Sequence, residues 1–563
     1  MNRTNRALVR DCCKNPREGR NPNRHVLACF SAFGIRPSFG LRGFGLRISE
    51  SGSLSQQALA TSIILFAALN YANAQYSPPP PPQPFQGFLN EELRKNNPYM
   101  NQWDFGGALR VRYEVKEGFA IPGIPGSLDF RDHGADVSNE YFLERFRYHL
   151  GFTEKWWGAY VEGRSSLAQS DERFAYFANP LPPGTVNRKG DGPESDTIDL
   201  HQAYVALGNH KEFPLSIKVG RQELSYGDER LIGAFAWNNI GRVFDAAKVR
   251  YQNSWFGADV FTSRPVIPED GRFNVNNNYD WFSGIYATTT KIPKNSLDVY
   301  FLARNSSTQA IAAEPSPQFP QPSARDIYTI GGRLKSSPGQ LGKWDYLVEG
   351  AYQFGDFRDN RRVSATIPPL KDRLDQDAYM FVVQGGYTFD NAWGKPRLAL
   401  EYTYASGDSN ARDGKHETFE NLFPTNHKFY GYMDFISLQN IQDVRGIFQL
   451  KPVARLSIAI EGHGFWLADT HDNFYNVAGV PRGGATMAAN VGTGTGYGIN
   501  SSYGDFVGTE LDIIAGYALT RFAQLEIGYG HFFVGDYIQQ SLSAPAFGSK
   551  DADYLYVQAN INF

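Results

Sequence analysis

The feature that most constrains this chain is a period-two alternation of apolar and polar residues that recurs from Trp103 to Phe563. In residues 455–466, for example, Leu456, Ile458 and Ile460 alternate with polar residues. Successive side chains of a β-strand point to opposite faces of the sheet, so this alternation predicts strands with one apolar and one wet face. About 18 such segments are present, with 16–18 as the range, separated by connections rich in Gly, Asn, Asp and Pro.

Alternation alone does not separate a soluble β-protein from a membrane barrel, because both have one apolar face. Three features favour the barrel. Nearly every polar face carries charges of both signs, and aromatic residues recur near the ends of the apolar faces, as interfacial girdles require. The last segment also runs to the final residue, Phe563. We therefore predict an all-β fold, a transmembrane antiparallel β-barrel of about 18 strands, and keep an exported soluble β-protein as the alternative.

The C-terminal segment ADYLYVQANINF places Leu555, Val557 and Ile561 on one face, together with Phe563. A closed barrel has no edge, so its last strand pairs with its first and needs no polar tail. A terminal strand with an aromatic last residue resembles the signal that the barrel-assembly machinery of bacteria recognises. We expect that machinery and outer-membrane lipid as partners.

The N-terminal part carries export features. Residues 58–74 are largely apolar and end on Ala72-Asn73-Ala74, a pattern typical of signal-peptide cleavage. We expect cleavage near Ala74 and location in the bacterial outer membrane. The predicted organisation is an extended leader and signal peptide (1–74), a Pro-rich linker (75–102) and the barrel (103–563). Whether the long leader reflects a misplaced start codon stays open.

Charge and composition exclude several functions. The leader holds 10 Lys+Arg and 3 Asp+Glu, so the remainder has 45 against 55 and a net charge of −10. This net charge gives no support for binding a polyanion, nucleic acid included, so any such function must depend on where the cations lie. All three cysteines lie in the leader, and the histidines lack the spacing of a metal site. We expect no cofactor.

A barrel of 16–18 strands leaves an aqueous channel, and charges on its inner wall set the selectivity. Arginine suits this role because its planar fork binds carboxylates through two hydrogen bonds. The alternative is a wall in which each arginine pairs with a neighbouring acid. The candidate pore-lining residues are Arg110, Arg112, Arg145, Arg147, Arg164, Arg397, Arg445 and Arg455.

One stretch, residues 218–251, departs from simple alternation. It resembles the alginate-export family of outer-membrane porins, in which a G-R-Q-x-x-x-Y-G-x-x-R-L run leads to W-x-N and G-R-x-F-D. The matching residues are Gly220, Arg221, Gln222, Tyr226, Gly227, Arg230, Trp237, Asn239, Gly241, Arg242, Phe244 and Asp245. The resemblance implies an eighteen-stranded barrel with an arginine-rich constriction that passes a polyuronate.

By the same resemblance, Arg221, Arg230 and Arg242 belong to the wall or to a loop folded into the lumen, and Asp245 is a nearby counter-charge. The alternative is a loop with a purely structural role, in which these arginines pair with Glu223, Asp228 and Glu229.

The expected function is a porin that passes an anionic polysaccharide or small anions by passive diffusion, with periplasmic secretion components as further partners. A weakly selective general porin is the first alternative. A lipid-hydrolysing barrel is the second, because Ser457 and His463 lie near each other in sequence, although no G-x-S-x-G motif supports it. We therefore do not expect the protein to be an enzyme.

Overall fold

The computed structural model describes residues 85–120, 129–173, 193–270, 273–310, 323–358, 373–482, 496–543 and 545–563. The predicted signal peptide and its cleavage point near Ala74 lie outside these residues. No helix in the described ranges is long and apolar enough to cross a membrane.

Antiparallel strands make up most of the described chain. Two of the twenty strands, β8 (Val275–Asn276) and β15 (Lys415–His416), are two-residue pairings on loops. The other eighteen are β1 (Trp103–Glu117), β2 (Ser138–Thr153), β3 (Trp157–Gln169), β4 (Asp196–Leu207), β5 (Leu215–Gln222), β6 (Phe244–Gln252), β7 (Gly257–Ile267), β9 (Asp280–Thr289), β10 (Ser296–Ser306), β11 (Arg325–Leu341), β12 (Trp344–Arg358), β13 (Arg373–Thr388), β14 (Arg397–Ala405), β16 (Ile441–Val453), β17 (Leu456–Leu467), β18 (Phe506–Ala518), β19 (Ala523–Val534) and β20 (Ala552–Asn562).

These eighteen strands form a closed barrel, which confirms the predicted fold. Each pairs with its neighbour in sequence, and β20 pairs with β1 from Ala108↔Asn562 to Glu117↔Asp553. The backbone N–H of Phe563 donates to the carbonyl of Gly107 at 2.9 Å, so the pairing continues to the last residue. Closure leaves no sheet edge with unpaired backbone groups, which a lipid environment requires.

Strand β20 shows how alternation sorts its residues. Leu555, Val557 and Ile561 face outwards with 38–45% of their surface exposed, whereas Tyr554 and Tyr556 face inwards and are buried. The outward apolar residues would contact lipid, and the inward polar residues line the lumen. The same alternation holds on the strands that carry the candidate arginines.

The two ends of the barrel differ. At one end the strands are joined by short turns, such as 154–156, 253–256 and 342–343. At the other end the connections are long, and two of them span residues 223–243 and 406–440. Both β1 and β20 have their free ends on the short-turn side. The exposed tryptophans of this side, which fit an interfacial girdle, are Trp103, Trp156, Trp157, Trp255, Trp344 and Trp393.

Two short helices accompany the barrel, although the sequence shows no convincing helical period. Helix α1 (Phe88–Asn96) precedes β1, and α2 (Asp536–Ser543) lies between β19 and β20. The segment before α1 contacts the short-turn end, because the backbone N–H of Phe85 donates to Asp104 at 3.0 Å. The Phe88 ring lies 6.4 Å from that of Phe563. The N-terminal segment therefore covers the place where β20 meets β1.

The long connections do not all extend into solvent. Residues of the 406–440 connection are buried together with inward-facing wall residues in one apolar cluster, among them Phe419, Phe423, Tyr430 and Phe435. Leu231 and Ile232 of the 223–243 connection belong to the same cluster. Both connections thus lie inside the barrel and fill part of its lumen.

Candidate functional site

The β5–β6 loop (residues 223–243) and the β14–β16 loop (residues 406–440) pair with each other inside the barrel. The N–H of Gly233 donates to the carbonyl of Phe423 at 2.8 Å, and the N–H of Phe423 donates to Leu231 at 3.0 Å. Ile232 and Phe423 form a parallel β-bridge. The N–H of Thr425 then donates to Glu229 at 2.9 Å. The two loops therefore act as one body across the lumen.

Glycines of the sequence motif shape the β5–β6 loop. Gly220, near the end of β5, has φ +128°, and a Cβ there would come within 2.2 Å of the carbonyl oxygen of Ala203 on β4. Gly241, near the start of β6, has φ +79°. Residues with a side chain rarely adopt such angles. The backbone of the motif therefore requires glycine where the loop leaves and rejoins the wall.

Inward arginines of β1, β2 and β3 hold one side of this loop. We call Arg110, Arg112, Arg145, Arg147 and Arg164 the arginine cluster. Arg110 and Arg145 both donate to the carbonyl of Ala236, at 3.1 and 2.8 Å. Arg112 donates to Trp237 at 2.9 Å, and Arg164 donates to Ile240 at 2.9 Å. Four of the five guanidinium groups thus bind backbone carbonyls of one short segment.

Arg230 holds the other side of the loop on the opposite wall. Its guanidinium group is buried, donates to Glu401 on β14 at 2.9 Å and lies 3.8 Å from Glu349 on β12. It also donates to the hydroxyl of Tyr430 at 3.2 Å. The β5–β6 loop therefore spans the lumen between two sets of charged contacts.

The strand register places like charges directly opposite each other in the arginine cluster. Arg110 pairs with Arg145 between β1 and β2, and Arg147 pairs with Arg164 between β2 and β3. Like charges in this position destabilise a sheet unless acids compensate them. Arg112 contacts Glu114 at 2.6 Å, and Arg164 forms an ion pair with Asp196. Among the described residues, no carboxylate lies within ion-pair distance, 4.0 Å, of Arg110 or Arg145.

Arg147 is only partly compensated. Its Nη1 lies 3.3 Å from Glu223 and 3.7 Å from Glu162. Its Nε and Nη2 are buried and have no hydrogen-bond partner in the described part of the chain. Burial alone raises the pKa of a carboxyl group, but the hydrogen bond to His201 and the charge of Arg147 outweigh burial and lower the pKa of Glu223 to about 2. Glu223 is therefore ionised at neutral pH and faces Arg147.

The remaining motif arginines do not pair with the loop acids. Arg221 donates to Asp245 at 2.8 Å. Arg242 donates to the carbonyls of Gly233 and Pro424, at 3.2 and 2.8 Å. The acids bind wall or loop lysines and arginines instead: Glu223 contacts Arg147, Asp228 contacts Arg333 and Lys335, and Glu229 contacts Lys428. Arg221 and Asp245 form the counter-charge pair of the wall, while Arg230 and Arg242 hold the two loops.

The later arginines of the candidate set lie elsewhere. Arg397 contacts Asp345 at 2.6 Å, and Arg445 donates to Glu461 at 2.8 Å, so both are paired on the inner wall. Arg455 is different, since it lies in the turn between β16 and β17, is exposed, and has a weak contact to the carbonyl of Leu519 at 3.4 Å. The turn interrupts the alternation there, so the strand pattern does not apply to it.

Several contact residues were not singled out from the sequence. Glu194 and Asp196 approach the arginine cluster from the start of β4, and His427 stacks on Trp237 at 3.9 Å. They lie far from the cluster in sequence, which explains why local patterns miss them. A usable signal was the aromatic content of residues 419–438, since a solvated loop needs few buried aromatics.

Ser457 and His463 do not form a catalytic pair. Both lie on β17, six residues apart, which corresponds to about 20 Å along a strand. The hydroxyl of Ser457 donates to the carbonyl of Gly516 at 3.3 Å, and the His463 ring contacts Asp443 at 3.0 Å. The lipid-hydrolase alternative was based on the closeness of Ser457 and His463 in sequence, and this separation leaves it without support.

Comparison with known proteins agrees with the motif. The family model described as "Alginate export" matches residues 101–546. The chain belongs to the alginate export family. Among curated proteins, none matches the chain.

The chain is similar to several solved structures. Acinetobacter baumannii OccAB1 is 10% identical, with a TM-score of 0.50 over 82% of this chain and 96% of that one. Acinetobacter baumannii OccAB4 is 11% identical, with a TM-score of 0.47 over 82% and 98%. Pseudomonas aeruginosa OccK11 is 13% identical, with a TM-score of 0.44 over 82% and 96%. At 10% identity the similarity to OccAB1 concerns the fold alone.

Family and fold together indicate an outer-membrane channel rather than an enzyme. In bacterial barrels the short turns face the periplasm and the long loops face outwards. The short-turn end of this alginate export family member, with α1 and Phe563, is accordingly the periplasmic end. The two lumen loops enter from the extracellular end.

Proposed function

We propose that this chain is a channel through which anionic solutes, a carboxylated polysaccharide or small anions, diffuse passively past the arginine cluster. The observation that carries the proposal is the Arg110–Arg145 pair. Two like charges lie directly opposite each other and bind neutral carbonyls, with no carboxylate among the described residues at ion-pair distance. Such a pair attracts an anion that reaches it.

The chemistry of these groups fits carboxylates. A guanidinium group binds a carboxylate through two parallel hydrogen bonds, and charge-assisted hydrogen bonds are about twice as strong as those to neutral acceptors. Nε and Nη2 of Arg147 form one side of the guanidinium fork and have no hydrogen-bond partner among the described residues, but both atoms are buried, so neighbouring groups must shift before a solute reaches them. A carboxylate that reached them would find a better geometry than the backbone carbonyls provide.

Nearby acids neutralise the other arginines of the cluster, so the excess positive charge is confined to Arg110 and Arg145. Glu114, Glu162, Glu194, Asp196 and Glu223 all approach the arginine cluster, so its total charge is close to balanced. The proposal depends on the local excess at Arg110 and Arg145 and not on a positive lumen as a whole. The net charge of −10 in residues 75–563 is consistent with that restriction.

The reversal potential of the purified protein in a planar bilayer under a salt gradient tests the proposal. We expect a potential whose sign corresponds to preferred passage of the anion. Equal permeability of anion and cation, or preference for the cation, would contradict it. The measurement needs no knowledge of the natural solute.

A second candidate function is a weakly selective porin, and the many paired wall arginines favour it. Outside the Arg110–Arg145 pair, inward arginines contact acids at short distances. These pairs are Arg112–Glu114, Arg221–Asp245, Arg304–Asp280, Arg333–Asp298, Arg397–Asp345 and Arg445–Glu461. A wall neutralised in this way gives the near-equal permeabilities that the reversal potential would reveal.

A further inference from the structure

A strip of stacked rings lies on the periplasmic half of the lumen wall, away from the arginine cluster. His149 of β2, Tyr160 of β3 and Tyr204 of β4 stack in sequence, with ring centroids 5.5 and 5.2 Å apart and both interplanar angles at 22°. Their outward neighbours Val161 and Val205 are 50% and 48% exposed. The three rings therefore face the lumen.

Lys218 of β5 completes this strip. Its ammonium group lies 3.5 Å from the centre of the Tyr204 ring, and its neighbours Ile217 and Val219 face lipid. Lys218 lies directly opposite Lys248 of β6 in the strand register. Lys248 contacts Asp259 at 3.3 Å, whereas Lys218 has no acid within ion-pair distance in the described ranges. The strip thus ends in a second pair of opposed like charges.

The Tyr160 and Tyr204 hydroxyls differ. Tyr160 donates to Glu162 at 2.7 Å. Tyr204 is half-buried, and within the described residues its hydroxyl has no hydrogen-bond partner. Among the described residues, a hydroxyl without a hydrogen-bond partner and an ammonium group without an acid partner consequently stand side by side on the wall. Both groups can bind water or a ligand in the lumen.

We propose that Tyr204 and Lys218, with Tyr160 and Lys248 beside them, bind one uronic-acid unit of a carboxylated glycan on the periplasmic side of the arginine cluster. This site deepens the proposed function and rests on it. The ammonium group of Lys218 binds the carboxylate, the Tyr204 hydroxyl binds a sugar hydroxyl, and the ring edges contact the apolar C–H groups of the sugar. A small anion uses only the first of these contacts.

The groups of the strip are regularly spaced, as the repeating units of a glycan are. Adjacent strands lie about 4.8 Å apart, so Lys218 of β5, Tyr204 of β4 and Tyr160 of β3 follow one another across neighbouring strands. Barrel strands tilt by about 35–45°, so a row of residues across neighbouring strands also climbs along the pore axis. Glycan units on Lys218 and Tyr204 would therefore lead towards Arg147, which lies on β2.

Block of single-channel current by added oligosaccharide tests the site. The probes are a (1→4)-linked tetramer of uronic acid, a neutral maltotetraose of equal length, and acetate. The variants are Lys218→Met and Tyr204→Phe, and the matched control is Lys211→Met, a lysine of the exposed turn 208–214. Circular dichroism and heat-modified mobility on gels establish that each variant is folded.

We expect the tetramer to block the wild-type channel from the periplasmic side, and maltotetraose to block it weakly. Lys218→Met should weaken the tetramer block about tenfold and Tyr204→Phe about two- to threefold. Lys211→Met should leave the block unchanged, and acetate permeability should be the same in Lys211→Met, Tyr204→Phe and wild type.

Each other outcome is decisive. An anion-selective channel whose block is the same in Lys218→Met, Tyr204→Phe and wild type overturns this site and leaves the proposed function intact. An anion-selective channel that the tetramer does not block overturns the site and leaves only the small-anion form of the proposed function. A channel without anion selectivity overturns both.

Discussion

Arg110 of β1 and Arg145 of β2 are direct partners in the strand register, and both donate to the carbonyl oxygen of Ala236, at 3.1 and 2.8 Å. Two guanidinium groups thus share one neutral acceptor on a loop that enters the lumen. The hydrogen bonds offset part of the repulsion between the two charges, and the excess positive charge persists. The same residues therefore hold the loop and attract an anion.

Replacing Arg145 and Arg147 together by serine should lower anion selectivity. The change removes Arg145, one of the two arginines without an acid at ion-pair distance among the described residues. It also removes Arg147, whose Nε and Nη2 have no hydrogen-bond partner there, so the remaining acids of the cluster outweigh the cations. We expect the anion-to-cation permeability ratio in bilayers to fall by a factor of about two to five. Arg455→Ser, in an exposed turn, is the matched control and should keep the wild-type ratio. An unchanged ratio in the double variant would exclude these residues from the selective site.

Replacing Arg230 by alanine should destabilise the protein and loosen the β5–β6 loop. Glu401 would remain buried without its nearest cation, at 2.9 Å, and would keep Arg445 at 3.6 Å. Breaking a buried ion pair on one side costs up to about 3–5 kcal/mol. We expect a lower unfolding midpoint in urea together with larger and noisier single-channel conductance. The double variant Arg230→Met with Glu401→Gln removes both charges and should recover most of the stability. Equal stability of Arg230→Ala and wild type would show that the contact does not hold the loop.

A disulfide between the two lumen loops should test whether they part during transport. Residues 75–563 contain no cysteine, and Ile232 and Phe423 are partners in a parallel β-bridge. We expect the Ile232→Cys, Phe423→Cys variant to conduct less after oxidation and to recover after reduction, because the joined loops span the lumen. The single variants under oxidising conditions are the controls. Identical conductance in both redox states would mean that solutes pass beside closed loops.

Phe563→Ala should impair assembly of the barrel. The Phe563 ring stacks on Phe146 of β2 at 5.6 Å, and its backbone continues the pairing of β20 with β1. The measurement is the fraction of folded protein in outer-membrane preparations, resolved by heat-modified mobility on gels. Phe533→Ala, an exposed residue of β19, is the control of equal size and should assemble normally.

The barrel itself could be predicted from the sequence, since alternation, connection length and the terminal strand all report on it locally. In β20, for example, the period of two separates Tyr554 and Tyr556 from Leu555 and Val557 as the structure does. Because lipid contacts one face of each strand and water the other, the two faces can be assigned from the sequence of that strand alone. The same reasoning places Arg110, Arg112, Arg145, Arg147 and Arg164 on the inner wall.

The partners of those arginines could not be predicted in the same way. Arg112 contacts Trp237 and Arg230 contacts Glu401, at separations of 125 and 171 residues. Such contacts depend on how loops enter the lumen, and no periodic pattern encodes that path. Arg455 is an error of a different kind. The alternating pattern places it on the inner wall, but it lies in an exposed turn, where the strand period does not apply.

The bridge between the two lumen loops constrains how the molecule is made. It joins parts of the chain as distant as Phe235 and Thr425, which are 190 residues apart, and it lies within a sheet that β1 and β20 close. A finished cylinder offers no lateral route for segments of this bulk. During biogenesis the two loops must therefore either fold inwards before β1 and β20 meet or enter the closed sheet along its axis through the extracellular opening.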